Sequence, residues 1–176
     1  MKNSYALVTG ATSGIGLEIS KYLAKKGYNL ILVARTKDKL NYISKDLSQK
    51  YNVECDYFPS DLSEIKSPDD IYNFTKENHY NINILVNNAG ILADCTLKKM
   101  ESDQFDSVIN VNLRGVYLCG KAAAKIMIEQ GSGVILNASS VVAHYGNFGQ
   151  SNYVASKAGV IGMTKVWARE LGKDGI

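Results

Sequence analysis

No apolar run in the 176-residue sequence approaches the roughly 18 residues that a membrane-spanning helix needs. Cysteine is scarce. Cys55, Cys95 and Cys119 are odd in number, widely spaced and without a CxxC pair, which argues against a disulfide framework or a zinc site. They read as structural residues, no metal centre is expected, and a reducing cytoplasm is the natural setting. Charge of one sign is also missing. The net charge is only +3 and the basic residues are scattered, so nothing points to nucleic acid. There is no internal repeat, low-complexity tract or linker rich in Pro, Gly and Ser. The first residues, Met1 to Ser4, enter an apolar run almost at once, and no signal peptide is expected there. The length fits one well-cored domain.

What is present is an alternation of short apolar runs with longer amphipathic ones. Residues 5–9 (YALVT), 29–34 (NLILVA), 53–58, 84–86 and 133–138 (GVILNA) read as strands. Residues 15–26, 37–51, 68–78, 104–130 and 152–171 read as helices. Gly27 ends the first, Ser67 caps the third with Pro68 in its first turn, and the long fourth is interrupted near Gly115. Near-continuously apolar strands separated by helices mean a parallel sheet covered on both faces. The expected fold class is therefore α/β, a doubly wound parallel sheet with ligands at the carboxyl ends of its strands.

The first strand runs into Thr9-Gly10-Ala11-Thr12-Ser13-Gly14-Ile15-Gly16 and then into a helix. Gly10 permits a tight turn, Gly14 lets the backbone approach a pyrophosphate, and Gly16 lets the helix pack closely. Free N–H groups and the helix dipole supply an anion site. A glycine trio is informative here because it lies between a first strand and a first helix. Its spacing, Gly-x3-Gly-x-Gly, resembles the TGxxxGxG signature of classical short-chain dehydrogenases/reductases, which implies a Rossmann fold and a nicotinamide cofactor. The tetrapeptide Asn87-Asn88-Ala89-Gly90 matches that family's NNAG motif, whose asparagines brace strands while Ala89 and Gly90 let the backbone lie against the cofactor. Asp61-Leu62 is similar to the family's adenine-contacting pair, although Asp61 reads equally as a cap for the segment after it.

In NAD-binding sites an acidic residue at the end of the second strand holds the ribose 2′-hydroxyl. Here that position reads Val33-Ala34-Arg35-Thr36. Arg35 can make a charge-assisted bond to the 2′-phosphate of NADP, a contribution of roughly 1.5–3 kcal/mol. Lys37 and Lys39 add weaker attraction. Ser13 stands where some NADP-preferring relatives carry a second basic residue, so NADP(H) is expected with a moderate preference.

Tyr153 and Lys157 lie at i and i+4 near the start of the last helix and project from one face. Ser140 follows the fifth strand, and Asn112 lies in the long helix before it. A phenol ionises near pH 10 in water, and a neighbouring cation favours its ionised form. The resemblance implies Tyr153 as the acid, Lys157 as its cation and ribose ligand, Ser140 as the donor to the substrate oxygen, and Asn112 as the anchor of a water reaching Lys157. Ser139 competes for the serine role, although alternation along the strand favours Ser140. His144 near Ser140 evokes a hydrolase triad, but no GxSxG elbow accompanies it. Trp167 reads as interface or core.

Residues 139–171 resemble the 3-oxoacyl-acyl-carrier-protein reductases of fatty-acid synthesis, and the first half looks like broader carbonyl-reducing members. The implied reaction is reduction of a 3-oxoacyl thioester. A reductase of another ketone or alcohol (steroid, sugar or small diketone) and a non-catalytic cofactor-binding module are the alternatives. The resemblance also implies acyl carrier protein as a partner, yet the helix ends at Glu129-Gln130 and Lys173-Asp174 are mixed rather than basic. Small-residue stretches 122–124 and 158–163 resemble the family's dimer-forming helices, which implies a homo-oligomer, a tetramer in complete members. Relatives continue beyond the equivalent of Ile176 into further strands and a substrate loop. The sequence is therefore expected to be a fragment, with an open sheet edge and weak or absent turnover on its own.

Overall fold

The computed structural model describes residues 4–176; Met1–Asn3, on which part of the signal-peptide expectation rests, lie outside them. Five parallel strands, β1 (Ser4–Thr9), β2 (Asn29–Ala34), β3 (Cys55–Pro59), β4 (Asn81–Asn87) and β5 (Val134–Asn137), form one sheet in the order β3-β2-β1-β4-β5. Between them run α1 (Gly14–Lys25), α2 (Lys37–Tyr51), α3 (Ser67–Glu77), α4 (Ser102–Ile109) and α5 (Val116–Gln130), and after β5 come α6 (Val142–Tyr145) and α7 (Ser151–Leu171).

Each strand is apolar along its length because alternate side chains feed two cores. Tyr5 and Leu7 of β1 join Ile31, Val33, Leu85, Ile71, Cys119 and Met127 on the face of α3 and α5. Ala6 and Val8 join Leu30, Leu32, Leu23, Leu40 and Leu47 on the face of α1 and α2. Helix α2 needs only one buried stripe: Leu40, Ser44 and Leu47 recur at helical spacing while its lysines face water. The sheet order reverses between β1 and β4, so their carboxyl ends diverge and open a crevice.

Several details differ from the sequence reading. Ser67 is the first residue of α3 rather than its cap, and its hydroxyl donates to the Asp61 carbonyl at 2.6 Å. The third strand starts at Cys55 rather than Val53, and the fourth at Asn81 rather than Ile84. The long fourth helix is broken more deeply than a kink at Gly115. It comprises α4, a six-residue π-helical turn (Asn110–Gly115) and α5, and its amino end is a capping box in which Glu101 N–H donates to Gln104 Oε1. Short α6 had no sequence signal. Strand β5 is the sheet edge, with Val134 and Leu136 about half exposed at 48% and 49%.

Candidate active site

The glycine turn is built by close contacts that exclude side chains. Gly10 has φ +66°, and a Cβ there would lie 2.9 Å from Ala89 Cα and from Asn88 Nδ2. A Cβ on Gly16 would collide with the Gly10 carbonyl and with Asn88 Nδ2. Gly14, with φ +52°, faces open space instead, which is what an approaching ligand requires. No side chain caps α1, and no acidic residue sits in its first turn. The N–H groups there are left to an anion.

Thr9 clamps this turn to the loop after β4. Its hydroxyl accepts from Asn88 N and Ala89 N, both at 3.0 Å, and donates to the Val86 carbonyl at 3.2 Å. Asn88 Nδ2 donates back to the Thr9 carbonyl at 3.1 Å. Asn87 Nδ2 reaches Asn137 Oδ1 at 2.9 Å, bracing β4 against β5. The motif asparagines therefore hold strands and loops, as the sequence reading expected.

Between these loops lies a cavity of about 400 Å³, within the range of small-molecule sites. Gly10, Thr12 and Ser13 line one side, Arg35, Asp61 and Leu62 after β2 and β3 line another, and the loop of Asn88, Ala89 and Gly90 after β4 forms its floor. Gly14, Ile15 and Gly16 adjoin it at the start of α1. Arg35 is exposed. Asp61 Oδ1 accepts from Ser63 N at 3.0 Å, and mainly for that reason its carboxyl is held below the ordinary range, with Arg35 lowering it further. Asp61 thus performs the local turn role that its sequence allowed, while also lining the cavity. Thr36, Ser60, Ile91, Ser107 and Val111 line it too and escaped the sequence reading. Thr36 and Ser60 sit just beyond the carboxyl ends of β2 and β3, where the strand-end rule would have found them. Ser107 and Val111 look like ordinary helix positions.

Next to Gly90 stand Asn112 and Lys157, and beside Lys157 the ring of Tyr153. Lys157 is only 4% exposed. Its Nζ donates to the Ala138 carbonyl at 2.7 Å and lies 5.7 Å from the centroid of the Tyr153 ring. A Cβ on Gly90 would be 3.8 Å from that Nζ, so the lysine borders the cavity floor. Burial lowers its pKa, since desolvation disfavours a charge. The Ser139 hydroxyl donates to the Lys157 carbonyl at 3.0 Å and is committed there. Ser140, half-buried at the carboxyl end of β5, has no such commitment. Asn112 is fully buried in the π-helical turn; its Nδ2 donates to the Ile91 carbonyl at 2.9 Å and its Oδ1 accepts from Ile91 N at 2.8 Å. Its side chain fixes the loop next to Gly90 and is spent there. His144 is exposed on α6, and Trp167 packs against Gly120 of α5.

A dinucleotide-type crevice at the reversal of a doubly wound sheet, joined to a buried lysine beside a tyrosine ring, defines a nucleotide-dependent oxidoreductase fold. The comparisons agree. A family model described as short chain dehydrogenase matches residues 4–176. The 3-oxoacyl-acyl-carrier-protein reductase FabG of Staphylococcus epidermidis is 41% identical over 175 residues, 99% of this chain and 71% of the relative. Among solved structures, a bulky-bulky ketone specific alcohol dehydrogenase from Comamonas testosteroni superposes with a TM-score of 0.91 at 31% identity, covering 98% of this chain and 69% of that one. The alcohol dehydrogenase of Thermococcus sibiricus, solved with 5-hydroxy-NADP, gives 0.92 at 30% identity, covering 98% and 72%. The chain belongs to the short-chain dehydrogenase/reductase family.

Proposed function

We propose that this protein reduces a carbonyl to a hydroxyl with NADPH, and that its substrate is a 3-oxoacyl thioester. The observation that carries the reading is Lys157, a lysine buried between the Tyr153 ring and the cavity floor with a carbonyl as its hydrogen-bond partner. A buried cation is costly unless it serves something. The cradle around Gly10, Gly14 and Gly16 fits a pyrophosphate, and Arg35 on the cavity lining fits a 2′-phosphate. When bound there, NADPH supplies a hydride to the carbonyl carbon. Tyr153 donates its phenolic proton to the carbonyl oxygen, and Ser140 holds that oxygen by a hydrogen bond. Lys157 stabilises the resulting phenolate and holds the nicotinamide ribose. Reprotonation passes by water, from the main chain around Asn112 rather than from its side chain.

Several exposed apolar residues support an acyl substrate over a sugar. Leu92 and Leu97 follow β4, and Val141, Tyr145 and Phe148 follow β5, the last two 84% and 87% exposed. Both loops flank the carboxyl ends of the strands. The family of the reductase from Staphylococcus epidermidis supports a thioester, and the ketone-specific neighbour supports a free bulky ketone as the second reading. A carrier-protein partner would meet the mixed charges of Glu129, Lys173 and Asp174. Exposed Ala158 and Gly162 on α7 support assembly with a second copy.

The test is a parallel titration of the purified protein with NADPH and NADH, followed by turnover with acetoacetyl thioesters and with free ketones. NADPH should bind at least about tenfold more tightly, as one charge-assisted bond from Arg35 predicts. Tyr153→Phe should lose turnover by about a thousandfold while keeping NADPH binding. Equal affinity for the two cofactors, or reduction confined to free ketones, would overturn the corresponding half of the reading.

A further inference from the structure

We propose that Asn152 is the positioning residue for Tyr153: it ties the start of α7 to the loop that leaves the cavity floor and so sets where the phenol stands. The inference rests on the reductase reading above. Asn152 is fully buried, and its whole amide is used. Oδ1 accepts from Tyr153 N at 2.7 Å, while Nδ2 donates to the Ala93 carbonyl at 2.9 Å and to the Gln104 carbonyl at 3.3 Å. One side chain therefore joins three segments: the acid's own helix, the loop after β4 and the first turn of α4.

The tie matters because of what else is fixed. The residue at the head of α7, Gln150, makes no side-chain cap, so Tyr153 N–H would lack an acceptor in the first turn. Asn152 supplies one. The loop after Gly90 is stitched down residue by residue: Ile91 to Asn112, Asp94 Oδ2 to Gln150 Nε2 at 2.8 Å, and Cys95 N to the Gly149 carbonyl at 2.8 Å. Of these ties, the one through Asn152 also bonds Tyr153 itself. A buried amide with every group satisfied holds a single geometry, and an apolar residue of equal volume would fill the space without specifying it. Misplacing a reacting group by about 1 Å can cost on the order of a hundredfold in rate. Asn152 touches no reacting atom. It acts through the backbone of the residue that does.

The experiment compares Asn152→Ala, Asn152→Ser and Asn152→Asp with Gln150→Ala, which cuts a neighbouring stitch without touching Tyr153. Rates with NADPH and an acetoacetyl thioester are taken at high protein concentration and normalised to NADPH-binding sites titrated by cofactor fluorescence, so unfolded protein does not count. The Asn152 variants should lose about thirty- to a hundredfold in kcat with KM for NADPH within about twofold of the wild type. Gln150→Ala should stay within about threefold in kcat. Asn152→Asp keeps the acceptor for Tyr153 N but sets a carboxylate against two carbonyls, and it should be no better than Ala. Normalised rates near wild type in the Asn152 variants overturn the inference alone. Equal losses in Gln150→Ala and the Asn152 variants, or loss of NADPH binding by all three Asn152 variants, also overturn it, because the residue then holds the loops rather than the acid. A wild type that, at the full length of its relatives, binds NADPH and reduces no carbonyl overturns the reductase reading and this inference with it.

Discussion

Lys157 shows in one residue how the site sets chemistry against stability. It is buried, bonded to one carbonyl, and among the described residues has no carboxylate within ion-pairing reach. Its depressed pKa means that the unfolded chain binds its proton more tightly than the folded one. The penalty is therefore complete below the folded-state value and fades as pH rises toward the 10.5 of a free lysine. Lys157→Met should abolish turnover yet raise the thermal midpoint at pH 7 by about 2–4 °C, the shift that 1 kcal/mol makes in a domain of this size. That gain should shrink as pH rises toward the 10.5 of a free lysine. A lower midpoint at pH 7 would mean that the bond to Ala138 outweighs desolvation. The identity of this lysine was legible in its spacing from Tyr153. Its burial was not, because burial depends on Ala138 and Gly90, which are distant in sequence.

At the scale of elements, α7 owes its place to small residues on its neighbours. A Cβ on Gly120 of α5 would lie 2.5 Å from Trp167 Cη2 and 2.6 Å from Cζ3, so the outer edge of the indole lies against bare backbone. Gly120→Ala should push α5 and α7 apart and cost about 1–3 kcal/mol, as overpacking does. Urea unfolding followed by far-ultraviolet circular dichroism, a signal that does not depend on Trp167, would measure it. Trp167→Leu in the same chain should recover part of the loss; no recovery would place the strain elsewhere. The π-helical turn is a second decision made at this scale. The sequence marked an interruption at Gly115, and the structure spreads it over six residues that carry Asn112 to Ile91. Such turns are common at functional sites, but no residue pattern in a single chain announces them, since the extra residue per turn is stabilised by the loop it meets.

For the molecule as a whole, pH tolerance is set at the end of the sheet opposite the site. Tyr5 and Tyr80 pack with ring centroids 4.4 Å apart and planes tilted by 39°, Tyr5 donating to Glu54 and Tyr80 to Asp56. Burial first, and the carboxylate bonds second, raise both phenols well above their ordinary range. A phenol whose folded pKa is raised contributes stability that is complete below about pH 10 and is lost above it, because the unfolded chain gives up the proton first. Stability from denaturant melts should therefore fall steeply from pH 10 to 11. The double variant Tyr5→Phe with Tyr80→Phe should flatten that fall while starting lower at pH 8. An equal slope in both proteins would place the alkaline transition in other groups.

What the sequence by itself determined was local. Apolar runs and helical stripes set the strands and helices to within a few residues. The glycine spacing set a phosphate-binding turn, and the interval between Tyr153 and Lys157 put both on one face. These depend on backbone conformation and on neighbours within a turn or two, which a linear pattern records. Tertiary structure alone decided that β1 stands beside β4, so that Thr9 can clamp Asn88 across 79 positions. It also committed Ser139 to the Lys157 carbonyl, leaving Ser140 free, turned the Asn112 side chain onto Ile91, and gave Asn152 three partners in three segments. Each of these is a hydrogen bond between groups that only the packed sheet brings within 3 Å or so, and a buried polar group takes whichever partner the fold delivers to it.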